Sequence, residues 1–199
     1  MSLFDPRRPT REQLWTVDDF WSPSECAAMI ARAEQLGFDE APITTGRGAV
    51  MRKDVRNNER AMFEDQALAR VLWERARAHV PATLPERHAP PGTPPWRAVG
   101  LNERFRVYRY RVGQHFKPHL DGSFVREEGV EESALTFMIY LDDECVGGQT
   151  RFHDDGVIVA PKTGMALFFH HPLLHEGCTI ERGLKHVLRT DVMYRRGEP

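Results

Sequence analysis

The stretch YRYRVGQHFKPHLDG, residues 108–122, combines aromatic, basic and acidic side chains where a predicted β-strand ends. Residues two apart in a strand face the same side of a sheet, so His119 and Asp121 can present an imidazole and a carboxylate together. A histidine from another strand would complete a set of two histidines and one carboxylate. That set suits Fe(II) and leaves coordination positions open. The competing interpretation is a polar strand end without a metal.

A second pair with the same spacing shows how weak this motif is by itself. His153 and Asp155 also lie two residues apart, but they belong to HDDG, a turn signal between two strands. Side chains in such turns are more often solvated. We therefore favour His119 and Asp121, and the candidates for a third ligand are the later histidines: His170, His171, His175 and His186. Taken singly, each of these is more typical of a core or surface histidine.

The first part of the chain has helical signals. Ser22 and Glu25 form a capping box with proline at the first helical position, and the helix is predicted to run to a stop at Gly37. The apolar spacing of Leu68, Val71, Leu72 and Trp73 predicts a second helix over residues 63–79. The polar segment between these helices is predicted to form loops with a short strand.

The second part has the pattern of a β-protein. A proline-rich connection ends near residue 95, and short strands then alternate with Gly, Pro and Asp turns. This pattern predicts a β-sandwich or jelly roll, so the fold class is mainly β with N-terminal helices. We expect residues 1–95 to form a helical support region with the proline-rich connection and residues 96–199 to form the β-core, both within one structural unit.

Composition narrows the class of protein. The net charge is −2 with neutral histidines, which favours neither nucleic acid nor an anionic membrane as a partner. Three scattered cysteines without CxxC spacing indicate reduced thiols. No apolar stretch is long enough to span a bilayer, and MSLFDPRRPTREQ lacks the apolar core of a signal peptide. These features predict a cytoplasmic protein.

Further motifs follow the HxD pair in a definite order. In chain order they are Tyr110-x-x-Gly113-x-x-Phe116-x-x-His119-x-Asp121, Gly147-Gly148-x-Thr150-x-Phe152, Pro161-Lys162-x-Gly164-x-Ala166-x-x-Phe169 and His175-x9-Lys185. Jointly, over about half the chain, they resemble the iron(II)- and 2-oxoglutarate-dependent dioxygenases, most closely the prolyl 4-hydroxylase-like branch. The resemblance implies a double-stranded β-helix, a relative of the jelly roll. It also implies Fe(II) held by His119, Asp121 and His175, with 2-oxoglutarate and O2 as co-substrates.

The resemblance further implies a cation for the far carboxylate of 2-oxoglutarate. Lys185 holds that position, and Tyr110 and Thr136 match hydroxyl positions that help to hold the same carboxylate. Arg189 lies four residues beyond Lys185 and so shares its strand face. It either pairs with an acid such as Asp191, shares the anchoring of 2-oxoglutarate, or meets an anionic part of the primary substrate. We favour Lys185 as the anchor.

The implied activity is hydroxylation of an unactivated C–H bond with release of succinate and CO2. An aspartate at position 121 favours this reaction, since related halogenases have a small residue there. The substrate, a peptide or protein side chain or a small molecule, is not specified by any motif. Arg106 and Tyr108 share a face with Tyr110 and are candidate substrate contacts, although a solvated sheet edge would show the same pattern.

Two other functions remain open. One is a cupin-like metal enzyme that does not use 2-oxoglutarate, which the spacing of Lys185 disfavours. The other is a non-catalytic β-sandwich binding module, which the set of predicted metal ligands disfavours.

Overall fold

The computed structural model describes residues 13–46, 48–84, 92, 94–154 and 156–197. The elements of the first half are β1 (Leu14–Val17), α1 (Pro23–Leu36), β2 (Asp39–Glu40), β3 (Ile43–Thr45), β4 (Gly48–Val50), β5 (Glu59–Glu64), α2 (Gln66–Ala76), β6 (Thr83–Leu84) and β7 (Trp96–Leu101). Those that follow are β8 (Arg104–Tyr110), β9 (Phe116–His119), β10 (Val125–Arg126), a 3₁₀ turn (Glu127–Gly129), β11 (Glu131–Tyr140), β12 (Cys145–Gly147), β13 (Thr150–Phe152), β14 (Ile158–Val159), β15 (Ala166–His170), β16 (His175–Gly177), β17 (Ile180–Gly183) and β18 (Lys185–Arg196).

The largest sheet in the described part of the chain has ten strands, with the main order β1-β15-β11-β18-β8-β5-β2. Its outer face carries the helices. Alternate residues of β11 and β15, including Phe137 and Phe168, point to that face and stack with ring centroids 4.7 Å apart. The buried stripes of the helices pack onto them: Cys26, Met29 and Ala33 of α1, and Ala69, Leu72 and Ala76 of α2.

The inner face of this sheet is covered by a smaller sheet. The smaller sheet has the order β14-β13-β16-β9 within the described residues. A second apolar cluster forms between the sheets, where Met138, Phe152, Phe169 and Val187 meet. The strands of both sheets are antiparallel, and the prediction of a mainly β protein with N-terminal helices is confirmed.

The first helix follows its sequence signals closely. The Ser22 side chain accepts a hydrogen bond from the Glu25 N–H (3.3 Å), and the Glu25 carboxylate accepts one from the Ser22 N–H (2.9 Å). Gly37 ends the helix at φ 83°, a left-handed conformation that favours glycine. The predicted capping box and stop are confirmed.

The second helix is shorter than predicted. Residues 59–64 form β5, which pairs with β8 along its whole length, so Phe63 belongs to a strand. Asp65 then caps α2, its side chain accepting from the Leu68 N–H at 2.9 Å, and the helix ends at Ala76. Val71, expected on the apolar stripe, is 54% exposed. The prediction was wrong at these points because pairing with a distant strand outweighs local helical spacing.

The proline-rich connection is only partly described. Pro85, Pro90 and Pro91 lie outside the described residues, whereas Pro94 and Pro95 immediately precede β7. Among the described helices, none is long and apolar enough to cross a membrane.

Candidate active site

Adjacent strands of the smaller sheet bring the three predicted metal ligands together. His119 ends β9, His175 begins β16, and the register places these two residues directly opposite each other. Asp121 lies two residues after His119, and its N–H donates to the His171 carbonyl at 3.1 Å. This hydrogen bond holds the irregular segment after β9 against the segment after β15. The Asp121 carboxylate faces the two imidazoles.

The ligand atoms surround a common point. His119 Nε2 lies 3.8 Å from Asp121 Oδ1, and His175 Nε2 lies 3.7 Å from Asp121 Oδ2. All three groups offer a ligand atom within 4.8 Å of the others. Donors in this range fit a single cation with bonds of roughly 2 Å to each of them. Two imidazoles and one carboxylate form the donor set expected for Fe(II).

Backbone carbonyls set the orientation of both imidazoles. His119 Nδ1 lies 2.8 Å from the Lys117 carbonyl, and His175 Nδ1 lies 2.8 Å from the Leu173 carbonyl. A carbonyl can only accept, so each Nδ1 carries the proton and each Nε2 keeps its lone pair for a metal. Metal-binding histidines are typically held in this way. The residues present therefore fit a divalent metal.

The charge states at the site also suit metal binding. Burial, together with the neighbouring His175, lowers the pKa of His119 to about 3. Burial likewise lowers the pKa of His175, so both rings are neutral at pH 7. Burial alone would raise the pKa of Asp121, but Arg189 at 3.1 Å and the imidazoles outweigh it and hold that pKa far below its usual range. Neutral imidazoles and an ionised carboxylate are the metal-binding forms.

Thr136 lies beside the predicted metal ligands. Its hydroxyl donates to Asp121 Oδ2 at 2.6 Å and lies 3.1 Å from His171 Nδ1. The cavity that contains Lys185 is lined instead by Thr150, whose hydroxyl is 2.7 Å from the Tyr140 hydroxyl. The structure thus places Thr136 where it orients the carboxylate of Asp121, and not beside the predicted 2-oxoglutarate anchor. Sequence reasoning did not single out Thr150, although it lies in the GGxT motif.

Lys185 lies at the bottom of a narrow inner cavity. Its ammonium donates to the Gly148 carbonyl and lies 5.2 Å from the Tyr110 ring centroid. In the described part of the chain no carboxylate lies within 4 Å of it. Burial lowers the pKa of Lys185 to about 8, and burial raises the pKa of Tyr110 to about 12. A buried cation without an anionic partner, beside a protonated hydroxyl, fits the far carboxylate of 2-oxoglutarate.

Gly148 keeps this part of the cavity open. Its φ is 69°, and a Cβ at this position would lie 2.4 Å from Ile180 Cδ1 and 3.2 Å from Lys185 Cδ. A side chain here would both strain the backbone and displace the lysine. The lack of a side chain at Gly148, the second glycine of the GGxT motif, therefore leaves room for the Lys185 side chain.

Arg189 lies between the inner cavity and the protein surface. Its Nη2 atom is 3.1 Å from Asp121 Oδ2 and 3.3 Å from Asp191 Oδ1. Of the three alternatives for Arg189, the ion pair with Asp191 is present, together with an unforeseen one to Asp121. Arg106 and Tyr108, the candidate substrate contacts, line a wider groove that also reaches Asp121.

The other histidines do not converge on this point. His153 follows β13 and lies 3.6 Å from Glu176 Oε1, while Asp155 lies outside the described residues. His171 hydrogen-bonds to Thr136, and the ring of His186 contacts Asp142. Within the described chain, His175 is the later histidine that joins His119 and Asp121.

Known proteins share this sequence pattern. Residues 105–190 match the sequence model of the 2OG-Fe(II) oxygenase superfamily. Over 79 residues the chain is 33% identical to prolyl 4-hydroxylase subunit alpha-1 of Rattus norvegicus. This alignment covers 37% of this chain and 15% of that relative. The chain thus spans about one seventh of the length of that curated relative. Members of this superfamily use Fe(II) and 2-oxoglutarate, and the His-Asp-His group has the donor set that such a metal needs.

Solved structures share the fold. A viral collagen prolyl hydroxylase from Paramecium Bursaria Chlorella virus-1, solved with 2-oxoglutarate, aligns with a TM-score of 0.59 at 19% identity, over 92% of this chain and 96% of that one. A Trichoplax adhaerens prolyl hydroxylase, solved with a hypoxia inducible factor peptide, aligns with a TM-score of 0.63 at 15% identity, over 90% and 83%. These alignments confirm the predicted double-stranded β-helix. Residues 105–190 thus match the 2OG-Fe(II) oxygenase superfamily, and the chain is similar to prolyl 4-hydroxylases in sequence and fold, as its motifs predicted.

Proposed function

We propose that the protein is an Fe(II)- and 2-oxoglutarate-dependent dioxygenase. It hydroxylates an unactivated C–H bond of a peptide or protein side chain, or of a small molecule, and releases succinate and CO2. The observation that carries this proposal is the convergence of His119, Asp121 and His175, with both Nδ1 atoms tied to carbonyls. Bound Fe(II), with 2-oxoglutarate and O2, would supply the oxidising power that neither imidazole nor carboxylate has.

The residues around the metal site have distinct tasks. His119 and His175 present neutral Nε2 atoms, and Asp121 contributes the negative charge that tightens the hold on a divalent cation. Thr136 fixes the rotamer of that carboxylate through its 2.6 Å hydrogen bond. Three ligands leave further coordination positions for co-substrates, which a closed four-ligand site would not.

The inner cavity is suited to 2-oxoglutarate. Lys185 would bind the far carboxylate as a charge-assisted hydrogen-bond donor, with the Tyr110 hydroxyl as a second donor. Binding would also stabilise the ammonium, because an anion replaces the Gly148 carbonyl as its partner. A cupin-like enzyme that ignores 2-oxoglutarate has no use for such a buried cation.

We further propose that the regions 1–95 and 96–199 form one structural unit. Strands β1, β2 and β5 from the first region pair within the same sheet as strands of the second region, which supports this view. A cytoplasmic location and the absence of a nucleic-acid partner stay predictions from composition.

Two measurements test the proposed activity. Anaerobic calorimetry with Mn(II) and then 2-oxoglutarate should show sequential binding, and Fe(II)-loaded protein should release succinate in the presence of O2. His119→Ala should lose metal binding. His153→Ala, the equivalent change in the rejected HxD pair, should bind metal like the wild type. Metal binding without 2-oxoglutarate binding would establish the cupin-like alternative, and binding of neither would establish a non-catalytic module.

A further inference from the structure

A wide groove of about 600 Å³ opens beside His119 and Asp121 on the side away from Lys185. We call it the arginine groove, because four arginines lie around the Tyr108 hydroxyl in its wall. They are Arg56, Arg60, Arg106 and Arg189. Strand register brings them together. Arg60 pairs across strands with Tyr108, and Arg106 pairs with Arg189. Like charges directly opposite each other destabilise a sheet, and Asp191 is the carboxylate that this opposed pair shares.

Arg56 is a buried cation without a matching charge. Its side chain is held by two aromatic rings, at 4.6 Å from the Tyr108 centroid and 4.4 Å from the Phe116 centroid, and the residue is 5% exposed. Nε donates to Asn58 Oδ1 at 2.7 Å, whereas the buried Nη2 has no hydrogen-bond partner. No carboxylate of the described residues lies within 4 Å. An unpaired buried guanidinium is costly, and an anion in the groove would remove that cost.

The other arginines share very few acids. Arg106 has one carboxylate in range, Asp191 at 3.6 Å, and its buried Nη1 makes no hydrogen bond. The same Asp191 also pairs with Arg189, at 3.3 Å. Arg60 has no carboxylate within 4 Å in the part of the chain that the structure describes. Asp39 lies opposite Arg60 in the strand register but forms no ion pair with it within 4 Å. Within the described residues, the carboxylates that do pair with these four guanidinium groups are Asp121 and Asp191, and Asp121 is a predicted metal ligand.

The pKa of the Tyr108 hydroxyl reflects the excess positive charge. Burial by itself would raise the pKa of its hydroxyl. The neighbouring guanidinium groups, that of Arg56 foremost, outweigh burial and lower this pKa to about 8. Positive potential that lowers the pKa of a buried phenol also favours a bound anion.

We infer that the arginine groove binds an anionic group, a carboxylate or a phosphate, of the primary substrate and so places the reacting C–H bond beside the metal site. Guanidinium forks match the paired oxygens of both anions. The groove wall includes His119 and Asp121, so a substrate held there reaches the metal ligands without leaving the arginines. We assign 2-oxoglutarate to the inner cavity, because Lys185 lines that cavity and not this groove. This inference rests on the proposed function for the identity of the site, although anion binding itself does not.

The first test measures anion binding without any turnover. Inorganic phosphate is titrated calorimetrically into metal-free protein in low-salt buffer. Arg60→Gln and Arg106→Gln should each weaken phosphate binding at least about tenfold, the loss expected for one charge-assisted contact. Arg151→Gln, on the smaller sheet and paired with Glu176 at 3.4 Å, is the matched control and should bind phosphate like the wild type. Lys185→Met should also retain binding, which separates the groove from the inner cavity.

Equal phosphate affinity in the wild type and both groove variants would overturn the inference, as would a loss in Lys185→Met alone. Thermal unfolding measurements check that each variant is folded. The substitutions are made at Arg60 and Arg106, which are half-buried, because loss of the buried Arg56 could unfold the protein. If phosphate binds as expected while wild-type protein binds neither Mn(II) nor 2-oxoglutarate, the proposed function fails and the anion site stands.

The second test identifies the source of the anion. Peptides containing glutamate or phosphoserine, and small organic carboxylates and phosphates, are compared with their uncharged counterparts for binding to Mn(II)- and 2-oxoglutarate-loaded protein and for stimulation of 2-oxoglutarate turnover. We expect the charged member of a pair to be preferred at least about tenfold. A preferred pair among the peptides would identify a peptide or protein substrate. A preferred pair among the small organic compounds would identify a small-molecule substrate. Equal or better binding by uncharged members throughout would contradict the inference.

Discussion

The inner cavity and the arginine groove differ in the number and type of their cations. They share five lining residues: Tyr108, Phe116, His119, Asp121 and Arg189. The inner cavity, about 40 Å³, has one ammonium on a flexible stem and suits a small ligand of constant shape. The groove, about 600 Å³, has several guanidinium groups on neighbouring strands and accommodates a larger ligand. The difference agrees with our proposals that 2-oxoglutarate binds in the inner cavity and the primary substrate in the arginine groove. His119 and Asp121 line both.

Removal of a metal ligand should produce the largest effect and should separate the two regions. Asp121→Ala deletes the one anionic ligand, and we expect metal affinity to fall more than about 100-fold, beyond the loss typical of residues that only support a ligand. Phosphate binding to the groove should persist because the arginines remain. Calorimetry with Mn(II) and with phosphate measures both. Unchanged metal affinity would show that the His-Asp-His group is not the metal site.

Loss of the inner cation should affect 2-oxoglutarate but not the metal. Lys185→Met removes the ammonium and keeps an apolar chain of similar length, so we expect 2-oxoglutarate affinity to fall about 10- to 100-fold. Metal affinity should stay at the wild-type level. If 2-oxoglutarate binding is instead lost in Arg106→Gln and retained in Lys185→Met, the assignment of the two regions must be reversed.

The protonation of Lys185 predicts a pH dependence of the inner cavity. Burial lowers its pKa to about 8, so the folded protein loses this cation as the pH rises through 8. We expect 2-oxoglutarate affinity to fall up to about tenfold per pH unit above that value. Lys185→Arg keeps its charge, so its profile should retain only the contribution of Tyr108, which also lines this cavity and has a pKa of about 8. A wild-type profile no steeper than that of Lys185→Arg between pH 7 and 10 would contradict the role of Lys185.

The same shift has a consequence for stability. Between pH 8 and 10.5, the unfolded chain keeps a proton on Lys185 that the ligand-free folded protein has released. The unfolded state then binds more protons, so this residue contributes stability that rises with pH across that window. Denaturant titrations of wild type and Lys185→Met, compared at pH 7.5 and 10, isolate the contribution.

The smallest predicted effect concerns the support of Asp121. Thr136→Val removes the hydroxyl that donates to its carboxylate, and we expect metal affinity to fall about tenfold. Thr136→Ser keeps the donor and should retain most of the affinity. A loss of 2-oxoglutarate affinity at unchanged metal affinity would instead support the position that family resemblance implied for Thr136.

Several features of the site were predictable because their signals are local. The HxD spacing places His119 and Asp121 near each other through chain connectivity alone. The capping box of α1 is likewise a contact between residues three apart. His175 and Lys185 required the family pattern as a whole, since no local feature separates His175 from His170, His171 or His186.

Other features had no local signal. The helical spacing of residues 63–79 was misleading because pairing of β5 with β8 decides the conformation of Phe63. The arginine groove is a second case. No sequence motif marks Arg56 or Arg60, and only strand register brings Arg60 opposite Tyr108 and Arg106 opposite Arg189.

The sequence by itself determined the chemistry of this protein: the types of its ligands, its reduced cysteines, its first helix and its β-rich core. These follow from residue identity and from spacings of a few residues, which physical chemistry translates directly into local structure. The tertiary structure showed, independently of the family pattern, that His175 lies beside His119 and Asp121. It alone decided which hydroxyl supports Asp121 and where the arginines meet. The physical reason is that strand pairing joins residues about 50 or more positions apart, such as His119 with His175, and its register depends on the packing of the whole core.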